Sequence, residues 1–225
     1  APWSWSKVTA LALDTVTTNP KTIATNLAIS ALSSKPLASD LAEKFAKAGF
    51  TLALVGGPVR DAILGRLGND LDFTTNAKPD ETKAIIKKGA DSIWETGREF
   101  GTIAAQYGDV TVEITTYRSE KYESDSRNPE VKFGETIEGD LLRRDFTVNA
   151  MALELTTTPP TFIDNFDGIN DLARKVLRTP GTPENSFSDD PLRMMRAARF
   201  AAQLGFEVDP AIITAIKEMA TRIEI

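Results

Sequence analysis

Hydrophobic and polar positions recur with two periods along the chain, and together they predict alternating helices and strands. Leu37, Leu41, Phe45 and Ala48 lie at helical spacing and predict an amphipathic helix. The run "FTLALVGG" predicts a buried strand that leads into a short helix in "PVRDAILGRLG", and "DLDFTT" predicts the next strand. A helix in "KPDETKAIIKKG" and a hairpin of "GTIAAQY" with "VTVEITTY" around Gly108 follow.

The second half of the chain carries mainly helical patterns. A polar, charged segment over residues 118–135 predicts a mobile loop, and beyond it we expect helices in "DLLRRDFTVNAMALEL", "INDLARK", "DDPLRMMRAARFAAQLGF" and "DPAIITAIKEMATRIEI". The last pattern reaches the final residue without a cap, so we expect the chain to be the N-terminal part of something longer. We predict an α+β fold with an extension of uncertain order over residues 1–35, a head of mixed sheet and helices over 36–155, and an all-helical portion over 156–225.

Composition narrows the chemistry that this fold can perform. The chain has 225 residues, of which 41% are apolar and 26% charged, as in an ordinary globular protein. It contains neither cysteine nor histidine, which excludes disulfides, thiolate zinc sites and histidine-based catalysis. A metal would therefore have to be a hard cation bound by oxygen. No membrane-spanning run or leader is visible, and the lack of cysteine fits the cytoplasm.

Two aspartates in "DLDFTT" are the first candidate site. Side chains alternate along a strand, so Asp70 and Asp72 would point the same way, about 6–7 Å apart. Like charges at this spacing favour a bound cation, and magnesium is the natural one. A solvent-facing edge strand is the ordinary alternative for an isolated pair of this kind.

The neighbouring segments favour the metal over that alternative. "VGG" ends a strand at a helix start, where Gly56 and Gly57 would let backbone N–H groups approach a phosphate, with Arg60 one turn further on. Glu113 shares a strand face with two threonines and is a candidate third carboxylate, although a partly exposed strand glutamate is common. Together these residues indicate a site that binds a nucleoside triphosphate beside its metal ions.

Three longer motifs resemble one family. "LVGGPVRDAILGRLGNDLDFTTNA", "LLRRDFTVNAMAL" and "DDPLRMMRAARFAAQLGF", in this order, are similar to the tRNA nucleotidyltransferase and poly(A) polymerase family of the bacterial and eukaryotic class, a branch of the polymerase-β-like nucleotidyltransferases. The resemblance covers roughly residues 36–225. It implies a nucleotidyltransferase head with a helical neck, and addition of CCA to the tRNA 3′ end from CTP and ATP with release of pyrophosphate.

The resemblance also implies a role for each matching residue. Gly57 and Arg60 would contact the triphosphate, and Asp70 and Asp72 would hold two magnesium ions, with manganese as a possible replacement. In "RRDFTVNA", one Arg–Asp pair would read the ribose 2′-hydroxyl. A helix-surface ion pair is the ordinary alternative for this pair, which is formed by Arg144 and Asp145.

The motif "DDPLRMMRAARF" would read the base. Asp190 and Arg193 match the residues that admit cytosine and adenine, because both bases present an exocyclic amine next to a ring acceptor. Arg196 and Arg199 would contact phosphate or brace the pocket. Asp190 also suits a helix N-cap, but we expect Ser188 to cap this helix and to leave Asp190 for the base.

Other functions remain possible at the level of sequence. A poly(A) polymerase shares the head and the reaction, and enzymes that add only CC or only the final A are a third option. A catalytically dead nucleotide-binding module and a small-molecule nucleotidyltransferase come from other classes. The formal net charge is −6, so we expect the 225-residue chain alone to bind tRNA weakly.

Overall fold

A computed structural model describes residues 19–121, 130–133 and 136–224 of the chain. Within them, short 3-10 turns lie at Arg98–Phe100, Thr147–Asn149 and Ala220–Glu224. None of the described helices has the length and apolar character needed to cross a bilayer. The α-helices are α1 (Pro20–Leu32), α2 (Pro36–Lys47), α3 (Gly57–Ile63), α4 (Pro79–Ile86), α5 (Ile137–Leu142), α6 (Gly168–Arg174), α7 (Pro183–Asp189), α8 (Leu192–Leu204) and α9 (Pro210–Met219).

A seven-stranded mixed sheet forms the centre of the described structure. Its strands run in the spatial order β3-β4-β5-β2-β1-β8-β9, and β2 pairs with β5 in parallel while the other neighbours are antiparallel. Two small ladders, β6 with β7 and β10 with β11, lie outside it. The strands are β1 (Ala53–Val55), β2 (Asp70–Thr75), β3 (Ser92–Trp94), β4 (Thr102–Tyr107), β5 (Val110–Thr116), β6 (Arg118–Lys121), β7 (Glu130–Phe133), β8 (Met151–Glu154), β9 (Thr161–Asp164), β10 (Val176–Leu177) and β11 (Glu207–Val208).

The two faces of the sheet are covered differently. Leu71 and Phe73 of β2 are buried in the main apolar core, and α3 packs against this strand, whereas Asp70 and Asp72 point to the opposite face. Helix α5 covers that opposite face over β1 and β8, through Ile137 and other members of a small apolar cluster. Beyond α5 this face is exposed at Asp70 of β2 and at Glu113 of β5, and this is where the candidate site lies.

The sequence predictions for β2, for the β4–β5 hairpin and for helices α2, α3 and α4 are confirmed, as is the mixed sheet with helices. Residues 20–32 differ, because they form helix α1 where we expected an extension of uncertain order. Ala24, Ala28 and Leu32 are buried at helical spacing, and α1 packs against α3 and β9. Residues 1–18 lie outside the described residues.

The expected helix over residues 140–155 is wrong in its second half. Residues 151–154 form strand β8, whose first three residues are all buried because the strand has elements on both faces. Strand β9 pairs with β8, so the sheet extends past residue 155, and the portion expected to be all-helical also contains β10 and β11. Within the segment expected to be a mobile loop, β6 and β7 pair as a ladder, and residues 122–129 and 134–135 lie outside the described part of the chain.

Candidate active site

Three carboxylates lie side by side on the open face of the sheet. Parallel pairing of β2 with β5 sets Asp72 directly opposite Glu113, and Asp70 lies two residues back on the same face as Asp72. Burial, followed by the negative charges of Glu113 and Asp70, raises the pKa of Asp72 to about 6, although Arg144 acts in the opposite direction. In this conformation no three acidic side chains of the described residues converge closely enough to hold a metal ion together.

The turn between β1 and α3 brings backbone close to an arginine. Gly56 has φ 75°, and a Cβ there would lie 2.9 Å from Nη1 of Arg144. A Cβ at Gly57 would approach Nη2 of Arg60 at 3.4 Å. At Gly56, therefore, only glycine combines the positive φ with this close approach, whereas the contact at Gly57 is of ordinary length.

Arg60 lies beneath the site and is held there. Its Nε and Nη2 donate to the two carboxylate oxygens of Asp61 at 3.1 and 2.9 Å, and its Nη1 donates to Oδ1 of Asn149 at 2.5 Å. The guanidinium also lies 5.6 Å from the centre of the Phe200 ring. Arg60 thus connects α3 to the 3-10 turn and to α8.

Arg144 and Asp145 do not form the surface ion pair that was the ordinary alternative, since each has another partner. The partner of Arg144 is Asp140, which is fully buried and whose Oδ2 accepts from Nη2 of Arg144 at 3.2 Å. The other oxygen of Asp140, Oδ1, accepts from Nε and Nη2 of Arg143 at 3.0 and 2.8 Å. Thr74 of β2 donates to the same carboxylate at 3.2 Å. Burial alone would raise the pKa of Asp140, but the two arginines outweigh it and hold that pKa below its usual range.

Asp145 joins the helical portion to the head. Its Oδ1 accepts from the Phe146 N–H at 2.8 Å and from Nδ2 of Asn149 at 3.0 Å. Its Oδ2 accepts from Nε and Nη2 of Arg196 on α8, at 2.8 and 2.5 Å. The carboxylate is buried, so this charge-assisted pair fixes α8 against the segment that follows α5.

The expected cap of the base-reading helix is wrong. Ser188 lies inside α7, and Asp190 sits between α7 and α8, where its Oδ1 accepts from the Leu192 N–H at 2.9 Å. One carboxylate oxygen of Asp190 therefore supports the start of α8, because Pro191 offers no N–H there. The other, Oδ2, lies 4.0 Å from Nε of Arg193.

Arg193 is buried and anchored on both sides. Its Nη1 donates to Oγ of Ser186 at 3.0 Å, and its Nη2 donates to the backbone carbonyl of Arg143 at 2.5 Å. Arg199, by contrast, is exposed and lies 4.9 Å from the centre of the Phe200 ring. Of the four charged residues expected to read the base, contact phosphate or brace the pocket, Asp190, Arg193 and Arg196 face the head and Arg199 does not.

A cleft of about 410 Å³ collects most of the predicted residues. It leaves out Asp70, Glu113 and Arg199, and it adds four residues that we had not assigned to the site: Arg118, Arg143, Asn149 and Phe200. Six arginines and three aspartates line it, so its net charge favours an anion. The predicted residues in the cleft are Gly56, Gly57, Arg60, Asp72, Arg144, Asp145, Asp190, Arg193 and Arg196.

Curated CCA-adding enzymes are similar to this chain in sequence. The CCA-adding enzyme of Streptococcus suis (strain 05ZYH33) is 44% identical over 183 residues, which are 81% of this chain and 44% of that enzyme. The CCA-adding enzyme of Enterococcus faecalis (strain ATCC 700802 / V583) is 43% identical over 177 residues, 78% of this chain and 42% of the enzyme. The chain thus spans less than half the length of these relatives.

Solved structures match the fold as well. The Bacillus stearothermophilus CCA-adding enzyme in complex with CTP superposes with a TM-score of 0.69 at 35% identity, over 80% of this chain and 42% of that one. A tRNA nucleotidyltransferase complexed with a primer tRNA and an incoming ATP analogue gives a TM-score of 0.67 at 32% identity, over 80% of this chain and 50% of that one.

A family model provides the assignment. The model described as the poly A polymerase head domain matches residues 52–178, which include the three carboxylates, the glycine turn and the Arg144–Asp145 segment. This match covers more than half of the chain. The chain therefore belongs to the poly A polymerase head domain family.

Proposed function

We propose that the protein adds or repairs the 3′-terminal CCA of tRNA, using CTP and ATP and releasing pyrophosphate. The observation that carries the proposal is the cleft in which six arginines surround Asp72, at the edge of a row of carboxylates. Its volume lies within the range of small-molecule sites. The solved relatives described with CTP, and with a primer tRNA and an ATP analogue, support the same substrates here.

The arginines suit the triphosphate. Arg143 and Arg144 are oriented by Asp140, so their guanidinium groups enter the cleft without a side-chain entropy cost at binding. Nε of Arg144 is buried without a hydrogen-bond partner among the described residues, so this donor is available to an acceptor on a ligand. We assign Arg144, together with Asp145, to the 2′-hydroxyl of the incoming ribose, and Arg143 to phosphate oxygens alongside Gly57 and Arg60.

The carboxylates fit magnesium, or manganese in its place. They supply only oxygen donors. Asp72 is enclosed beside Glu113 and Asp70, so its pKa is raised to about 6 by burial and by these two negative charges, although Arg144 acts in the opposite direction. Asp70 and Asp72 would hold the ions, with Glu113 beside them. When bound, such ions activate the primer 3′-hydroxyl and offset the charge of the departing pyrophosphate.

Base selection falls to Asp190 and Arg193. The Oδ2 atom of Asp190 is suited to accept from the exocyclic amine of cytosine or adenine, while its Oδ1 stays on the Leu192 N–H. Arg193 is held rigidly by Ser186 and by the Arg143 carbonyl, so it presents a fixed donor to the ring acceptor. UTP and GTP place their donors and acceptors the other way round and would be rejected.

The experiment is incorporation of labelled CTP, ATP, UTP and GTP onto tRNA that lacks CCA, with the full-length protein and magnesium. A variant with Asp70→Ala and Asp72→Ala is the blank, and its melting temperature shows that it folds. CTP-then-ATP addition that stops after CCA supports the proposal. Long runs of ATP on unrelated RNA would show a poly(A) polymerase instead, and no incorporation by the wild-type protein would contradict the proposal.

A further inference from the structure

A second groove lies on the open face of the sheet, beyond the carboxylates. Its volume is about 500 Å³, and its wall includes Trp94, Phe100, Thr102, Glu113 and Arg118. Trp94 is 44% exposed and is the one aromatic side chain among the large exposed hydrophobic residues of the described structure. An exposed indole on the active face of an enzyme is a ready platform for a planar ligand.

Strand register aligns this tryptophan with the carboxylates. Trp94 of β3 pairs with Ala104 of β4, Ala104 pairs with Glu113 of β5, and Glu113 pairs with Asp72 of β2. Residues paired in this way project from the same face, so the four form one row across the sheet. Neighbouring strands lie about 4.8 Å apart, which places the backbone at Trp94 about 10 Å from the backbone at Glu113.

The two grooves meet at the carboxylates but differ in chemistry. The nucleotide cleft contains six arginines, whereas the second groove contains one, and the rest of its wall is aromatic, hydroxyl or small, apart from Glu113. Arg118 lines both, and Asp72 in the first groove is the strand neighbour of Glu113 in the second. The first groove therefore suits a triphosphate, and the second suits a base and ribose with little phosphate.

We propose that this second groove receives the 3′-terminal nucleotide of the RNA primer, with its base stacked on the Trp94 indole and its 3′-hydroxyl directed to Asp72 and Glu113. The assignment rests on the proposed function, because it names where the acceptor strand of that reaction lies. Stacking on an aromatic ring does not discriminate among bases, so one platform would serve primers that end in the discriminator base, in C or in CC.

The kinetic test compares Trp94→Ala with Trp94→Phe in the full-length protein. Trp94→Ala should raise the KM for tRNA about tenfold, the change that follows from losing about 1.4 kcal/mol of stacking, and should leave the KM for CTP within twofold. Trp94→Phe should recover most of the loss, and the melting temperature should not move. Ile213→Ala, at a side chain that is also 44% exposed, is the matched control and should change neither KM.

A binding test separates this inference from the proposed function. The full-length protein with Asp70→Ala and Asp72→Ala, which prevent turnover, is compared with the same protein that also carries Trp94→Phe, so the difference in emission between the two comes from Trp94. A fluorophore-labelled RNA minihelix ending in CC should quench the Trp94 emission as its anisotropy rises. Binding without quenching, or a KM for tRNA that Trp94→Ala leaves unchanged, would overturn the inference while CCA addition stands. Quenching by an RNA that the wild-type protein never extends would support the groove and reject the proposed function.

Discussion

Replacing Asp140 with asparagine tests how the cleft holds its arginines. The carboxylate is fully buried and accepts hydrogen bonds from Arg143, Arg144 and Thr74. Asparagine has nearly the same shape but carries no charge, so it leaves two arginines without their counter-charge. Removing one partner of a buried pair costs roughly 3–5 kcal/mol. Because both arginines keep some exposure and the asparagine oxygen still accepts, we expect about 3 kcal/mol at pH 7.

Urea denaturation measures this loss. A cost of about 3 kcal/mol should lower the midpoint by roughly 1 M for a chain of this size. Glu138→Gln is the matched control, because it removes one negative charge from the same helix at an exposed position. That control should stay within about 0.5 kcal/mol of the wild-type protein. The Asp140→Asn protein should also show a higher KM for CTP, since its arginines are no longer oriented.

The pH dependence gives the prediction a second check. The pKa of Asp140 in the folded protein lies below the value of about 3.9 that an unfolded aspartate has. A lowered pKa means that the carboxylate stabilises the fold above pH ~3.9, and that this contribution is lost as the pH falls through the folded-state value. The stability difference between wild type and Asp140→Asn should therefore shrink in acid. Equal stability of Asp140→Asn and Glu138→Gln at pH 7 would refute the reasoning.

Two further substitutions probe the cleft. Gly56→Ala should cost roughly 1–2 kcal/mol of stability because of its positive φ, and it should raise the KM for CTP by displacing Arg144. Gly68→Ala, with nothing within 4 Å of its Cβ, should change neither the stability nor this KM. Equal CTP kinetics in the two variants would count against the role of the glycine turn. Arg196→Ala should lower the stability measured by thermal unfolding by about 1 kcal/mol, which is modest because the Arg196 side chain is 45% exposed. It should also weaken CTP binding, and an unchanged Kd for CTP would exclude Arg196 from the nucleotide site.

The local pattern of apolar and polar residues predicted the strands in which the two alternate clearly and the helices in which apolar residues repeat at helical spacing. Strand β2 was predicted because Leu71 and Phe73 alternate with Asp70 and Asp72, and the structure buries the first pair. The sequence pattern does not distinguish strand β8 from a helix, because a short apolar run buried on both sides has no period of its own. Helix α1 was missed because it packs mainly through alanines such as Ala24, which leave little hydrophobic contrast.

The site was predictable where a motif carries its own chemistry, and not where distant segments meet. Asn149 and Phe200 entered the cleft only because folding brings the 3-10 turn and α8 together around Arg60. The capping contact of Asp190 depends on the break between α7 and α8, which the sequence pattern did not reveal.

The most direct test of the central proposal is the order and identity of the nucleotides that the full-length protein adds to tRNA lacking CCA. We predict two CMP additions, then one AMP, then a stop, with neither UMP nor GMP incorporated, and no product from the Asp70→Ala, Asp72→Ala variant. Incorporation that continues with ATP alone, accepts UTP and GTP equally, or persists in that variant would contradict the account.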